Sequence, residues 1–227
     1  MTHIMVPDGV LPPWLWIAGW IIAVAGLALA LRATRDGDTM RLIPLAGTMA
    51  AVMAIVMSLE IVPLGYEPHL TVLSGILLGP AYGFLATFVF NLLRMLFGDG
   101  TLTLLGLNTV LLGVETIGGF YIFRALRRLW RSPGGTGLSA AIATVIALAV
   151  ATVLFLGVVA LAQVDLSAIA EEDFLKRAGT PEPGFLLYAR LVLVLGAIGW
   201  LVEAVVIGAI TAFVRAVRPT LLEVAAK

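Results

Sequence analysis

The chain has 227 residues, of which 61% are hydrophobic and only 12% are charged, whereas soluble domains have about 25% charged residues. A mean hydropathy of +1.07 excludes a single water-soluble core, because long apolar runs would face solvent. The 14 basic residues balance the 14 acidic residues, so no excess of positive charge indicates a nucleic-acid partner. Cysteine is absent, which excludes disulfides, thiolate metal sites and cysteine nucleophiles. The composition is that of a membrane protein.

Five apolar spans are close to or above the ~20 residues that a membrane-crossing helix needs. They cover residues 12–31, 42–60, 103–123, 138–163 and 185–214. The stretch from His69 to Phe97 is too long for one crossing, since a straight helix of this length would measure about 43 Å. It contains Gly79-Pro80, and proline disfavours helical geometry in the residue before it. We therefore predict a short helix at 68–79 and a longer helix at 81–97.

The distribution of arginines predicts the orientation, because basic residues near helix ends face the cytoplasm. The 32–41 loop and the 124–131 segment carry the strongest basic clusters. Both lie inside if the stretch from His69 to Phe97 crosses the membrane twice. The sequence therefore predicts an all-α integral membrane protein with seven membrane helices in the cell membrane. Its amino terminus is expected outside and its carboxyl terminus in the cytoplasm.

Several polar residues fall within these spans, where they generally face a bundle interior. They are Asn91, Arg94, Asn108, Glu115 and Glu203. One interpretation is an Arg94–Glu115 pair that neutralises itself and fixes helix packing, and the other is a direct role in substrate binding. Their spacing contains no nucleophile–base pair, and no G-x-x-x-x-G-K-[ST] motif occurs, so we expect neither an enzyme nor an ATPase.

The only two histidines, His3 and His69, are expected on the same outer side of the membrane. A histidine near a free amino terminus can offer a metal the terminal amine, backbone amide nitrogens and its imidazole. These nitrogens lie in a plane, which suits Ni(II) or Cu(II). His69 could then complete a four-coordinate site. The alternative is that both are solvated or interfacial side chains that bind no metal.

Small residues recur at every fourth position of the second span, at Ala46, Ala50 and Ala54. Such a stripe lets another helix approach closely in lipid. It indicates either packing against a span of the same chain or docking of a partner protein.

Several segments resemble the CbiM/NikM family of cobalt and nickel uptake proteins, which are substrate-binding (S) components of energy-coupling factor (ECF) transporters. The segments are HIMVPDGVLPP at 3–13, SGILLGPAYG at 74–83, GDGTLT at 98–103, GLNT at 106–109, and the last span from Glu203 to Pro219. The resemblance extends over nearly the whole chain. It implies one domain over residues 1–227, in which an amino-terminal metal-binding segment and first helix (1–32) precede a six-helix core (41–218).

The resemblance also implies the metal ligands, namely the amino-terminal amine, His3 through its backbone and ring nitrogens, and His69. The family places the first histidine at position two, so we predict removal of Met1, which leaves Thr2 as the amino terminus. If Met1 stays, the amine, two amides and the His3 ring could fill the plane and displace His69. Because His69 lies closer to Gly79 than the loop histidine of many members, Glu67 or Asp99 could instead supply the fourth ligand.

The implied function is uptake of Co(II) or Ni(II) from outside, for cobalamin biosynthesis or for nickel enzymes, with no permanently bound cofactor. The implied partners are a transmembrane coupling protein (CbiQ-like) and ATPase subunits (CbiO-like). The need for a small accessory membrane protein (CbiN-like) is left open, as is the choice between cobalt and nickel. The alternative is an S component for an organic, vitamin-type micronutrient without a metal site.

Overall fold

The computed structural model describes residues 11–35, 39–58, 66–98, 100–130, 132–163 and 184–224. Its helices are α1 (Pro13–Ala33), α2 (Thr39–Met57), α3 (Thr71–Leu96), α4 (Leu102–Leu126), α5 (Pro133–Ala162), α6 (Phe185–Val217) and α7 (Thr220–Val224). All except α2 and α7 are long and apolar enough to cross a membrane, and α2 contains a shorter apolar stretch. The predicted all-α membrane architecture is confirmed, whereas the count of seven membrane helices stays a prediction.

Helix α3 is broken at Gly79 and folds back on itself. Gly79 has φ 79° and ψ 173°, a conformation that glycine adopts far more easily than other residues. The Arg94 side chain reaches to 3.9 Å from the Glu67 carboxylate, although a straight helix would separate these two residues by about 40 Å. The break agrees with the two predicted elements and turns the second half of α3 back alongside the first, past the residues that precede the helix.

Helix α4 packs against both halves of α3 through glycines. A Cβ atom at Gly75 would collide with the carbonyl of Thr116, and one at Gly83 would lie 2.7 Å from the Thr116 methyl. The Thr116 hydroxyl also forms a 2.9 Å hydrogen bond with the Thr87 hydroxyl. These contacts set the position of α4 along α3, so that the residue next to Thr116, Glu115, reaches the start of α3.

Helix α1 also packs against α4, and the backbones of the two helices approach each other closely. A Cβ atom at Gly19 would lie 2.7 Å from Leu107, and one at Gly106 would lie 2.7 Å from Trp20. The Trp20 indole donates a 2.9 Å hydrogen bond to the Leu102 carbonyl. Leu11, just before α1, is buried in a cluster formed largely by α4, α5 and α6.

Most of the arginines at the helix termini lie on one side of the bundle. There, Arg127 donates a 3.2 Å hydrogen bond to the carbonyl of Leu222 beyond α6, and Tyr82 donates a 3.3 Å hydrogen bond to the carbonyl of Thr34 beyond α1. The ends of α1, α4 and α6 and the turn of α3 therefore lie together. The arginines at these helix ends are Arg32, Arg35, Arg124, Arg127, Arg128, Arg215 and Arg218.

Candidate functional site

The segment just before α3 lies inside the bundle. Tyr66 and His69 are 2% and 1% exposed, and Leu70 has φ 55° and ψ 19°, which is left-handed backbone. His69 lies beside residues in the central parts of α4 and α6. The structure places His69 within the protein interior and not at an exposed interfacial position, which was the alternative to a metal ligand.

Glu203 of α6 holds this segment through three hydrogen bonds from neutral donors. Its Oε1 accepts the backbone N–H of Leu70 at 2.9 Å. Its Oε2 accepts the backbone N–H of His69 at 3.3 Å and the hydroxyl of Tyr66 at 2.7 Å. Because Glu203 is 1% exposed, these donors replace the water that a carboxylate would otherwise bind. The carboxylate therefore attaches the backbone before α3 to the middle of α6.

A glycine one helical turn earlier makes this contact possible. A Cβ atom at Gly199 would collide with the ring of Tyr66, so only glycine leaves room for the ring at its present position. Gly199 and Glu203 share one face of α6, since residues four apart lie above one another on a helix. Tyr66 therefore packs its ring on the glycine and directs its hydroxyl to the carboxylate.

Glu115 of α4 approaches the same segment from another side. It accepts a hydrogen bond from the Thr71 hydroxyl at 2.5 Å. Its Oε2 lies 3.7 Å from Nδ1 of His69, and both side chains are almost completely buried. Glu115 Oε1 is also buried and has no hydrogen-bond partner within the described part of the chain. The His69 segment is thus held through its backbone by one glutamate and approached at its ring by another.

Arg94 contacts Glu67 and not Glu115, so the structure does not support the interpretation in which Arg94 and Glu115 form a pair. Its guanidinium lies 3.9 Å from the Glu67 carboxylate, and both side chains are nearly buried. The turn at Gly79 explains this partner, because it returns the end of α3 to the residues that precede its start. Arg94 also lines a small polar cavity together with Asn91, Met95, Gly100, Thr101, Leu105 and Asn108.

Comparison with known protein families gives a match over almost the entire chain. The CbiM family, described as a cobalt uptake substrate-specific transmembrane region, matches residues 3–221. The chain belongs to the CbiM family. This CbiM protein is therefore a metal-transport protein and not an enzyme, and its apolar helices make it a multi-pass membrane protein.

Two relatives of this CbiM protein have descriptions that name transport. A putative metal transport protein of Haloquadratum walsbyi is 32% identical over 148 residues, which are 63% of this chain and 68% of that protein. A putative fused nickel transport protein, NikMN, of Archaeoglobus fulgidus is 34% identical over 134 residues. That match spans 56% of this chain but only 44% of the fused protein.

Two crystal structures share the fold. One, of a transition metal transporter, has a TM-score of 0.75 at 19% identity and covers 94% of this chain and 93% of that chain. The other, of a truncated transition metal transporter, has a TM-score of 0.70 at 19% identity, with coverage of 93% and 96%. The helical arrangement of this CbiM chain is therefore one found in experimentally determined structures.

The predicted ligands of this CbiM chain fall into two groups. His69 is buried and Glu67 is partly buried in the segment before α3, whereas Thr2, His3 and Asp99 lie outside the described residues. In the ranges that the structure describes, no three His, Cys, Asp or Glu side chains are grouped as a metal site. The ligand set given for the resemblance therefore stays a prediction.

Two members of the site, Tyr66 and Thr71, were not among the candidate residues predicted from the sequence. Each donates a hydroxyl hydrogen bond to a buried glutamate on another helix. Both lie within three residues of His69, and this closeness was the available signal. Hydropathy could not reveal their partners, because those are 137 and 44 positions away along the chain.

The small-residue stripe of α2 faces the chain's own core. Ala50 is completely buried, and Ala46 and Ala54 are partly buried against the same cluster. The more exposed side of α2 carries Ile43, Gly47 and Ile55 instead. Docking of a partner on the stripe stays a prediction, and it would require α2 to shift relative to its present neighbours.

Proposed function

We propose that this chain is the substrate-binding component of an ECF-type transporter and that it captures Co(II) or Ni(II) from outside the cell. The metal would be used for cobalamin biosynthesis or for nickel enzymes. The chain would act as one membrane domain over residues 1–227, with the segment at 1–32 supplying ligands and the core at 41–218 enclosing them. Neither a resident cofactor nor a nucleic-acid partner is part of this proposal.

The observation that carries the proposal is the position of His69 in a CbiM chain. Its imidazole is buried beside the Glu115 carboxylate, and its backbone is held by Glu203. An imidazole in a nitrogen-rich planar site suits Ni(II), and the general affinity order also places Ni(II) above Co(II). Burial next to a carboxylate supports binding of a cation, because an anion in the interior is costly unless it is paired.

We propose His3 and the amine of Thr2 as the remaining ligands, after removal of Met1. His3 precedes Leu11 by eight residues, a length that can span about 28 Å when extended. Leu11 is buried in a cluster with residues of α4, α5 and α6. This position supports a path from the start of α1 toward the interior. Glu67 or Asp99 remains the alternative source of a fourth ligand.

The proposed orientation places the amino terminus outside and the carboxyl terminus in the cytoplasm. It is supported by the common location of the arginines at the ends of α1, α4 and α6, because basic helix ends face the cytoplasm. The contact between Arg127 and Leu222 links the end of α4 to the chain beyond α6.

The proposed partners are a CbiQ-like coupling protein and CbiO-like ATPase subunits. Metal uptake measured with and without a CbiN-like accessory protein tests whether this protein is also needed. We propose that the coupling protein docks on the stripe of Ala46, Ala50 and Ala54. Ala54→Leu, at a partly buried position of the stripe, is then expected to reduce metal uptake in cells that contain the partners while leaving metal binding by the purified chain unchanged. Ala51→Leu, on the exposed side of α2, is the matched control. Loss of metal binding in Ala54→Leu would show that the stripe serves internal packing and not docking.

Native mass spectrometry of the untagged chain, titrated separately with Ni(II) and Co(II), tests the metal site. The expected result is one metal ion per chain that lacks Met1. His3→Ala and His69→Ala should each lose this ion, because each removes one or more of four ligands. Retention of Met1 in the metal-bound chain would contradict the proposed amino-terminal ligand. A wild-type chain that binds neither metal at micromolar concentrations would favour an S component for an organic micronutrient.

A further inference from the structure

The ring of His69 faces a carboxylate from a different helix. Its Nδ1 lies 3.7 Å from Glu115 Oε2, and the two side chains are 1% and 0% exposed. The same Oε2 accepts the hydroxyl of Thr71, so the start of α3 holds the carboxylate beside the ring. A carboxylate next to a buried imidazole is a common way in which proteins orient a metal-binding histidine.

We propose that Glu115 is a positioning residue for the transported metal: its carboxylate accepts the Nδ1 proton of His69 and thereby leaves Nε2 as the metal-binding nitrogen. The inference rests on the proposed function, because it takes His69 to be a ligand. Beyond the proposed function, it specifies which ring nitrogen of His69 binds the metal and which residue selects this nitrogen.

The chemistry follows from the two nitrogens of imidazole. A neutral imidazole carries one proton, and the hydrogen bond made by one nitrogen decides which nitrogen is free to bind a metal. At 3.7 Å the contact is longer than a hydrogen bond, and a small rotation of the ring, with or without metal, would bring Nδ1 within hydrogen-bond distance of the carboxylate. An accepting carboxylate also increases the basicity of the ligand.

The electrostatics of Glu115 support this role. Its second oxygen, Oε1, is buried and has no hydrogen-bond partner in the described segments. A buried carboxylate with an unsatisfied oxygen is unfavourable in the interior. A divalent cation bound at Nε2 would offset this cost through the ring, because it makes the Nδ1 proton a stronger donor to the carboxylate. The unloaded site is therefore prepared for a cation.

Glu203 does not serve the same purpose. It binds the backbone nitrogens of His69 and Leu70 and the hydroxyl of Tyr66. These contacts fix where the segment lies but do not discriminate between the two ring nitrogens. Of the two glutamates, Glu115 is the one that faces a ring nitrogen.

The first experiment measures the protonation of His69 in the metal-free full-length chain. ¹⁵N-histidine labelling in a His3→Ala background leaves His69 as the single labelled residue, since the chain has only two histidines. We expect signals of a protonated Nδ1 and an unprotonated Nε2. Glu115→Ala should shift the proton toward Nε2. An unchanged His69 spectrum in Glu115→Ala would overturn the inference without using any metal.

The second experiment measures Ni(II) affinity of the chain with His3 intact, by calorimetry in detergent. We expect Glu115→Ala to weaken binding by about 10- to 100-fold, and Glu115→Gln, which keeps an oxygen acceptor, to weaken it less. Thr71→Val, which removes the hydroxyl that holds the carboxylate, should cause a smaller loss. If Glu115→Ala does not fold, Glu115→Gln and Thr71→Val provide the test.

Ser74→Ala is the matched control for Thr71→Val. Ser74 lies on the same half of α3 and is completely buried, and its hydroxyl has no hydrogen-bond partner among the residues described. The Ni(II) affinity of the Ser74→Ala chain should equal that of the wild type. If all the Glu115 and Thr71 variants bind Ni(II) as tightly as the wild type, the proposed role of Glu115 is wrong, but the proposed function is not affected. Absence of Ni(II) binding by the wild-type chain would overturn the proposed function, and the inference with it.

Discussion

The two buried glutamates near His69 differ in what they hold. Glu203 on α6 accepts hydrogen bonds at both oxygens from one hydroxyl and two backbone N–H groups. Glu115 on α4 accepts one from the Thr71 hydroxyl and faces the His69 ring, while its other oxygen has no partner in the described ranges. A satisfied carboxylate stabilises the fold, whereas a partly unsatisfied one beside an imidazole is suited to binding a cation. Glu203 therefore has a structural role, whereas the role proposed for Glu115 is to orient the metal-binding histidine.

The largest expected effect on stability comes from Glu203. Glu203→Ala leaves three buried donors without their acceptor, at a cost of about 1–3 kcal/mol for each. We expect a clear fall in the melting temperature in detergent, which the tryptophan fluorescence of the chain can report. Tyr66→Phe removes only one of the three donors and should cause a smaller fall.

The same measurement on Glu115→Ala sharpens the comparison. This variant should lose less stability than Glu203→Ala, since Glu115 accepts fewer hydrogen bonds. Equal losses of stability in the two variants would show that both glutamates mainly hold the fold. The distinction between them would then fail.

A smaller effect is expected at Gly199, which lies beneath the Tyr66 ring. Gly199→Ala introduces a Cβ atom that collides with this ring, and such overpacking typically costs about 1–3 kcal/mol. The ring must move, so its hydrogen bond to Glu203 should weaken and the melting temperature should fall. Thermal unfolding of the purified variant measures this.

Gly157→Ala provides the control for Gly199→Ala. A Cβ atom at Gly157 of α5 meets nothing within 4 Å, and alanine is favoured over glycine inside a helix. This variant should be as stable as the wild type or slightly more stable. A comparable loss in both variants would mean that the Tyr66 ring does not depend on Gly199 for its position.

The sequence predicted the helices more completely than it predicted the site. Long apolar spans and the Gly79-Pro80 step placed α1 and α3 to α6 and the break in α3, because helix length and backbone restriction are local properties. His69, Glu115 and Glu203 were all recognised as candidates, since polar residues in an apolar span seldom face lipid. The sequence did not indicate Glu67 as a partner of Arg94, because only the fold-back of α3 brings these two residues together.

Composition and local pattern were therefore sufficient to determine a helical membrane protein, the position of its main break and the few polar residues that could act inside it. The tertiary structure decided which of these residues meet. Helical periodicity gives the face on which a side chain lies, but not the rotation of that helix against its neighbours. Here, close contacts at glycines such as Gly75, Gly83 and Gly199 set those rotations. They bring His69 between the carboxylates of Glu115 and Glu203, whose helices are far from His69 in the sequence.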